Sequence, residues 1–403
     1  MRVLFTAWGW ASHYFPLVPL AWATRAAGHE VCMASQPQLL PTMLESGLPA
    51  RAVGQEADLT EIFQRLMAPL VKVHADPDAT DEQRQALRTM PYRLFSEVAW
   101  SMADELIELA RSWRPDLVIY EPTAYAGLLA ASAIDVPAVR HIWGTDYFYY
   151  GRDAEQQVLP EYLFGRYGLP EIDGAGAITM DAYPPSMQLE SDCSRWPVRF
   201  LPYNGSSAAP ATLTEPPEGG RKRVCLTWGT IVSQIGDEMF ALPDIAKALS
   251  AVPDVELVVL VTPAQRERLG ELPDKVAVAV GAPLNLVLPN CSALVHQGGA
   301  GSVATALSCG VPQMIIPQIP DQLFAARSMA ASGAGTFVPL AEAGPSSLGS
   351  AVDALLHDPS YRAAARRIAA EMAETPPPAD AVAELTRLAS GSPTETVGSK
   401  VCQ

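Results

Sequence analysis

The chain has 403 residues, 49% hydrophobic and 18% charged, with a formal net charge of −16. That length exceeds what one ordinary core organises, so two domains are expected. The acidic balance works against binding the phosphate backbone of nucleic acid, and no apolar run approaches the roughly 20 residues that cross a bilayer. Cys32, Cys193, Cys225, Cys291, Cys309 and Cys402 form neither CxxC nor a zinc spacing. A reducing, cytoplasmic setting fits them. Met1 leads directly into a strand, without a basic n-region or cleavage site, so no signal peptide is expected.

Residues Arg2 to Ala7 read as a buried strand and Phe15 to Ala27 as a helix, with Pro16 and Pro19 in its first turns. Gly28 ends the helix, and Glu30 to Ala34 is the next strand. This βαβ spacing implies a parallel sheet with helices on its faces. His13 then lies at the carboxyl end of the first strand, the edge where α/β sheets bind ligands. A helix-capping imidazole is the structural alternative. Leu59 to Leu70 and Arg84 to Ala110 read as helices. Asp76-Pro77-Asp78, between them, has a DxD spacing but follows no strand, so it is read as a charged loop and no metal site is expected.

Leu117 to Tyr120 is a strand that ends at Glu121. A carboxylate there can orient an imidazole on the same edge, or cap the helix that starts at Tyr125. Val136 to Ile142 is another strand, followed by Trp143, Tyr147, Phe148, Tyr149 and Tyr150. These rings either wall a pocket for an apolar acceptor or fill the core. Asp146 among them is a second carboxylate candidate. Residues 203–220 are rich in Pro, Gly and Ser, the composition of a linker.

After it, Arg223 to Thr227, Glu256 to Val261, Val276 to Val280 and Ala293 to Val295 alternate with helical stretches as a second βαβ-rich unit. Gly229-Thr230 is a glycine turn at a strand end. The stretch Val295 to Gln322, VHQGGAGSVATALSCGVPQMIIPQIPDQ, is the most informative in the chain. Gly298, Gly299 and Gly301 sit between a strand and a helix N-terminus, where free N–H groups and the helix dipole favour an anion. Ser302 adds a hydroxyl, and His296 is read as an imidazole donor to the same phosphate. The spacing is neither a Walker-type loop nor GxGxxG.

Taken whole, this string resembles the donor site of nucleotide-sugar-dependent glycosyltransferases of the GT-B fold, above all those that decorate polyketide antibiotics. SHYFPLVPLAWATRAAGHEV and PYNGSS, followed by RKRVCLTWGT, extend the resemblance over most of the chain. It implies two facing, Rossmann-like doubly wound α/β domains with the active site between them. The boundaries expected are 1–205 for the acceptor domain, 206–220 for a linker, and 221–375 for the donor domain. A helix over 376–390 is expected to return to the first domain, and 391–403 to form a mobile tail. By the same resemblance His13 is the general base, with Glu121 or Asp146 holding its ring. Thr230, His296, Gly298, Gly299, Gly301 and Ser302 face the diphosphate, Asp321 and Gln322 bind sugar hydroxyls, and Trp143, Tyr147 and Phe148 line the acceptor pocket. One departure stands out. Gly281 occupies a place where the family usually has an aromatic residue near the base.

The implied reaction is an inverting transfer of a sugar from a nucleoside diphosphate, taken as dTDP-deoxysugar, to a polyketide hydroxyl. The nucleotide-sugar is a co-substrate, and neither cofactor nor metal is implied. C-glycosylation of an aromatic ring and a non-catalytic auxiliary role for the same fold remain alternatives. A homodimer and an activator protein are further partners the resemblance leaves open.

Overall fold

The computed structural model describes residues 1–58, 60–62, 64, 65, 78, 80–230 and 239–391. Asp76, Pro77, most of the 59–70 segment and the tail beyond 391 lie outside the described residues.

Two parallel sheets carry the architecture. The first is built from β1 (Arg2–Thr6), β2 (Glu30–Ser35), β3 (Ala50–Ala52), β4 (Leu117–Tyr120), β5 (Ala138–Ile142), β6 (Ile178–Asp181) and β7 (Arg195–Pro197), in the order β3-β2-β1-β4-β5-β6-β7. The second is built from β8 (Lys222–Thr227), β9 (Val255–Val261), β10 (Ala277–Val280), β11 (Ala293–His296), β12 (Gln313–Ile315) and β13 (Gly335–Phe337), in the order β10-β9-β8-β11-β12-β13. Every residue of β4 and β5 is buried. Strands buried on both faces read as continuous apolar runs, and helices must cover both sides.

In each sheet the strand order reverses once, between β1 and β4 and again between β8 and β11. The connections after these adjacent strands leave in opposite directions and open a crevice at the carboxyl edge. His13 and Glu121 follow β1 and β4. Gly229 and Gly298 follow β8 and β11. The fold therefore places the four positions at the two crevices before any side-chain contact is considered.

Local chemistry explains where elements depart from the sequence reading. The helix expected from Phe15 to Ala27 is divided into Ala11–Tyr14, a 3-10 turn Phe15–Leu17 and Val18–Ala26. Pro16 and Pro19 have no N–H to continue one hydrogen-bond ladder. The helix expected from Arg84 instead starts at Asp81, because Thr80 and Gln83 form a reciprocal capping box. Pairing supplies β3, β6, β7 and β13, none of which was read from the sequence, as was also true of the helix Pro320–Ser332.

The 203–220 stretch is only partly linker-like. Leu213 is buried in the second unit, and the Arg223 guanidinium donates to the carbonyls of Thr212, Leu213 and Glu215 at 2.9, 3.0 and 2.7 Å. The helix Pro378–Ala389 packs on Val18–Ala26 of the first unit. Its Thr386 hydroxyl lies 3.4 Å from His29 Nε2, and the preceding Pro376 carbonyl accepts from Arg199 N at 2.7 Å. One apolar cluster runs through both units, from Phe5, Leu17 and Trp196 to Ala304, Met329 and Ile368.

Candidate active site

At the first crevice, His13 ends a short helix just beyond β1, and Glu121 stands just beyond β4. The Glu121 carboxylate is buried and His13 Nδ1 lies 3.0 Å from its Oε2. Thr123 donates its N–H to Oε2 at 3.0 Å and its hydroxyl to Oε1 at 2.6 Å. A carboxylate fixed by these donors is an acceptor, so Nδ1 carries the imidazole proton and donates it to Glu121. Nε2 is left with a lone pair.

Aromatic rings enclose this imidazole. Trp8 and Trp143 meet it edge-on at centroid distances of 5.0 and 5.6 Å, and Trp10 lies at 6.0 Å. Behind them Phe95 contacts both Trp8 and Phe148, at 5.4 and 5.5 Å. Trp8, Trp10 and Phe95 were missed by sequence reasoning. The Trp-Gly-Trp directly after β1 was the available signal.

Asp146 does not serve His13, which corrects the expectation for it. Its buried carboxylate accepts from Arg140 at 3.1 and 2.7 Å and from Arg195 at 2.9 Å, and it caps the turn Tyr147–Tyr150 through Tyr149 N. Gln188 secures the same loop, accepting from Asp146 N and donating to the Gly144 carbonyl and to Asp181. Asp146 thus builds the wall on which Tyr147 and Phe148 stand. Tyr147 reaches the second unit, its ring 6.4 Å from Phe324.

At the second crevice, the helix Ala300–Ser308 begins after Gly299. Gly298 has φ of 103°, a left-handed turn that a side chain rarely adopts. Gly310 has φ of 63° and closes the same helix at its other end. Among the described residues, the N–H groups of Gly299, Ala300 and Gly301 have no acceptor. Ser302 is half-buried and Thr230 exposed at this edge. A Cβ on Gly301 would meet nothing within 4 Å, so the space in front of the turn is open.

His296 is a second correction. The ring is fully buried, its Nδ1 accepts from Gly298 N at 3.2 Å, and its Nε2 donates to Gln313 Oε1 at 2.9 Å. With both nitrogens engaged, it has no donor to offer a phosphate. Burial pushes its pKa down to about 4, so the ring is neutral and sets the shape of the turn.

Asp321 opens the helix Pro320–Ser332. It is exposed to solvent in the cleft, yet groups of both units, Tyr147 and His13 among them, crowd it, and the partial loss of hydration pushes its carboxyl up to about 6. Backbone N–H groups at Asp321 and Gln322, and then the nearby His13, pull the other way. Gln322 is buried, and its Oε1 accepts from Gln318 N at 2.9 Å. Gly144 abuts the helix Ala300–Ser308 of the second unit, since a Cβ on it would lie 3.0 Å from Ala300. The two crevices therefore face each other across one cleft. Among the described residues no His, Cys, Asp and Glu cluster could hold a metal ion, and no helix is long and apolar enough to cross a membrane.

The sequence and the fold are shared with known proteins. The family described as erythromycin biosynthesis protein CIII-like matches with its N-terminal domain over residues 22–229 and its C-terminal domain over residues 245–388. The 10-deoxymethynolide desosaminyltransferase of Streptomyces venezuelae is 38% identical, over 97% of this chain and 97% of its own. The TDP-daunosamine transferase DnrS of Streptomyces peucetius is 35% identical, over 96% of this chain and 97% of its own. The crystal structure of the glycosyltransferase VinC in complex with dTDP superimposes with a TM-score of 0.82 at 31% identity, over 97% of this chain and 100% of that one. Two doubly wound units, a buried carboxylate behind a cleft imidazole and an open glycine turn opposite it are thus found in a chain that belongs to the erythromycin biosynthesis protein CIII-like family, GT-B glycosyltransferases of antibiotic biosynthesis.

Proposed function

We propose that the protein transfers a deoxysugar from a dTDP-sugar to a hydroxyl of a polyketide acceptor, with inversion at the anomeric carbon. The observation that carries this reading is the 3.0 Å contact between His13 and the buried Glu121, across the cleft from N–H groups at a helix start that bond to no described residue. His13 Nε2 takes the proton of the acceptor hydroxyl. The acceptor oxygen bonds to the anomeric carbon as the bond from that carbon to the diphosphate breaks, and dTDP leaves. Attack from the face opposite the leaving group inverts the centre.

Glu121 keeps the ring in the tautomer with Nε2 free and stabilises the imidazolium that forms. The N–H groups of Gly299, Ala300 and Gly301 receive the charge developing on the diphosphate. Asp321, in the first turn of its helix, accepts from sugar hydroxyls. Trp143, Tyr147 and Phe148, joined by Trp10, offer an apolar surface to the acceptor, and the buried Trp8 backs it. The dTDP of the VinC complex and the TDP-daunosamine in the name of DnrS support this choice of donor, and the 10-deoxymethynolide in the name of the Streptomyces venezuelae relative supports this choice of acceptor.

The test is incubation of the purified chain with a panel of dTDP- and UDP-sugars and polyketide aglycones, followed by NMR of the product. An O-glycoside with inverted anomeric configuration is expected. Retained configuration, or a carbon-linked product, would sink the mechanism.

A further inference from the structure

The sequence assigned the diphosphate's side-chain donor to His296, which the fold consumes internally. The neighbouring residue is placed differently. Gln297 follows β11 at the point where the second sheet reverses its strand order, and its amide spans both glycine turns there. A Cβ on Gly229 would lie 2.3 Å from Gln297 Nε2, and a Cβ on Gly299 would lie 2.9 Å from it. The amide nitrogen thus occupies the space that two missing side chains leave at the crevice. Gln297 is only 4% exposed, and its Oε1 is buried without a hydrogen-bond partner. Its Nε2 donates to no described residue. The oxygen end is therefore committed to the interior at a cost, and the nitrogen, bonded to no described residue, is the end left to face the crevice, where an acceptor on a ligand can complete its bonding.

We propose that Gln297 is a diphosphate-binding residue, whose Nε2–H group joins the N–H groups of Gly299, Ala300 and Gly301 in holding the donor. This rests on the reading of the glycine turn as the donor site. It explains why the turns after β8 and β11 both require glycine: each makes room for the amide as well as for the ligand. A neutral amide suits the position because it donates without a desolvation cost as large as that of a buried cation. His296 then acts one step back, holding Gly298 so that the turn presents Gln297 and the helix start together.

The test is calorimetric titration of the full chain with dTDP, with thymidine measured in parallel by ligand-observed NMR. Gln297→Met keeps the volume and removes the amide. Gly301→Asp is the control, because Gly301 has open space before it and an added carboxylate there opposes an anion without disturbing packing. Circular dichroism establishes that each variant is folded. Gln297→Met is expected to weaken dTDP about tenfold or more, as loss of a hydrogen bond to a charged group does, with thymidine binding unchanged. If Gln297→Met binds dTDP as the parent does while Gly301→Asp does not, the role of Gln297 is overturned and the donor site stands. If the parent fails to bind dTDP, or Gly301→Asp binds it normally, the donor reading falls and the inference falls with it.

Discussion

His13 Nδ1 lies 3.0 Å from Oε2 of Glu121, a carboxylate with no solvent access that Thr123 holds through two further bonds. The pair is made by chain topology, since the residues are far apart in sequence but follow adjacent strands. His13→Ala should lower kcat by about 10²–10⁴-fold, the usual worth of a general base. Glu121→Gln should fall in the same range, because an amide does not stabilise the imidazolium. Neither should alter dTDP affinity by more than about twofold, since the glycine turn proposed to hold the diphosphate belongs to the other unit. Steady-state kinetics with calorimetry checks this, and turnover within a few-fold of the parent would make the pair structural.

Asp146 gives the opposite expectation. Arg140 is 1% exposed, and Asp146→Asn leaves its guanidinium buried beside Arg195 without a countercharge. Removing one partner of such a pair costs about 3–5 kcal/mol. Urea denaturation should show that loss, while kcat measured where the variant is folded stays within about tenfold of the parent. A kcat loss as large as that of His13→Ala in a stable protein would restore a catalytic role for Asp146.

The glycine turn separates packing from binding. Gly299→Val drives a side chain into Gln297, whereas Gly301→Ala meets nothing within 4 Å. The first should abolish measurable dTDP binding. The second should melt as the parent does and bind dTDP within about fivefold. Equal dTDP affinity for folded Gly299→Val and the parent would place the donor elsewhere.

Glu155 sets a pH signature away from the cleft. Burial pushes its carboxyl up to about 7, against the hydrogen bond from Tyr125 and the positive charge of Arg140. The folded state therefore holds this proton more tightly than the unfolded chain. The resulting stabilisation is fully present below an unfolded value of 4.5 and is lost as pH rises through 7. Glu155→Gln keeps an acceptor for Tyr125 and removes the charge. Relative to the parent, its melting temperature should rise between pH 5 and pH 8.5. A difference that does not change with pH would show that Glu155 is ionised at little cost.

Much of this was legible because strand ends and glycine turns carry their chemistry in the sequence. His13, Glu121 and the Gly298 to Ser302 turn each follow an apolar run, and a parallel sheet brings such positions to one edge. Side-chain commitments were not legible. The string His296-Gln297-Gly298 reads as an imidazole beside a phosphate loop, but in the fold Gly298 N and Gln313 already occupy both ring nitrogens. Asp146 looked free because Arg140 and Arg195 approach it from β5 and β7, and β7 is a three-residue strand with no pattern of its own. Trp8 and Trp10 were passed over because no period marks a ring that packs against a histidine three to five residues later.

The return of the last helix has a consequence for recombining these enzymes. Pro378–Ala389 belongs to the second half by sequence but lies on Val18–Ala26, with Thr386 beside His29 and Pro376 bonded to Arg199. A chimera joined once, within residues 203–220, would carry a foreign helix onto the helix Val18–Ala26 of its first unit. It would inherit mismatched contacts far from either substrate. The seam that respects the fold has two cuts, one in that joint and one before Thr375, so that the final helix travels with the first unit.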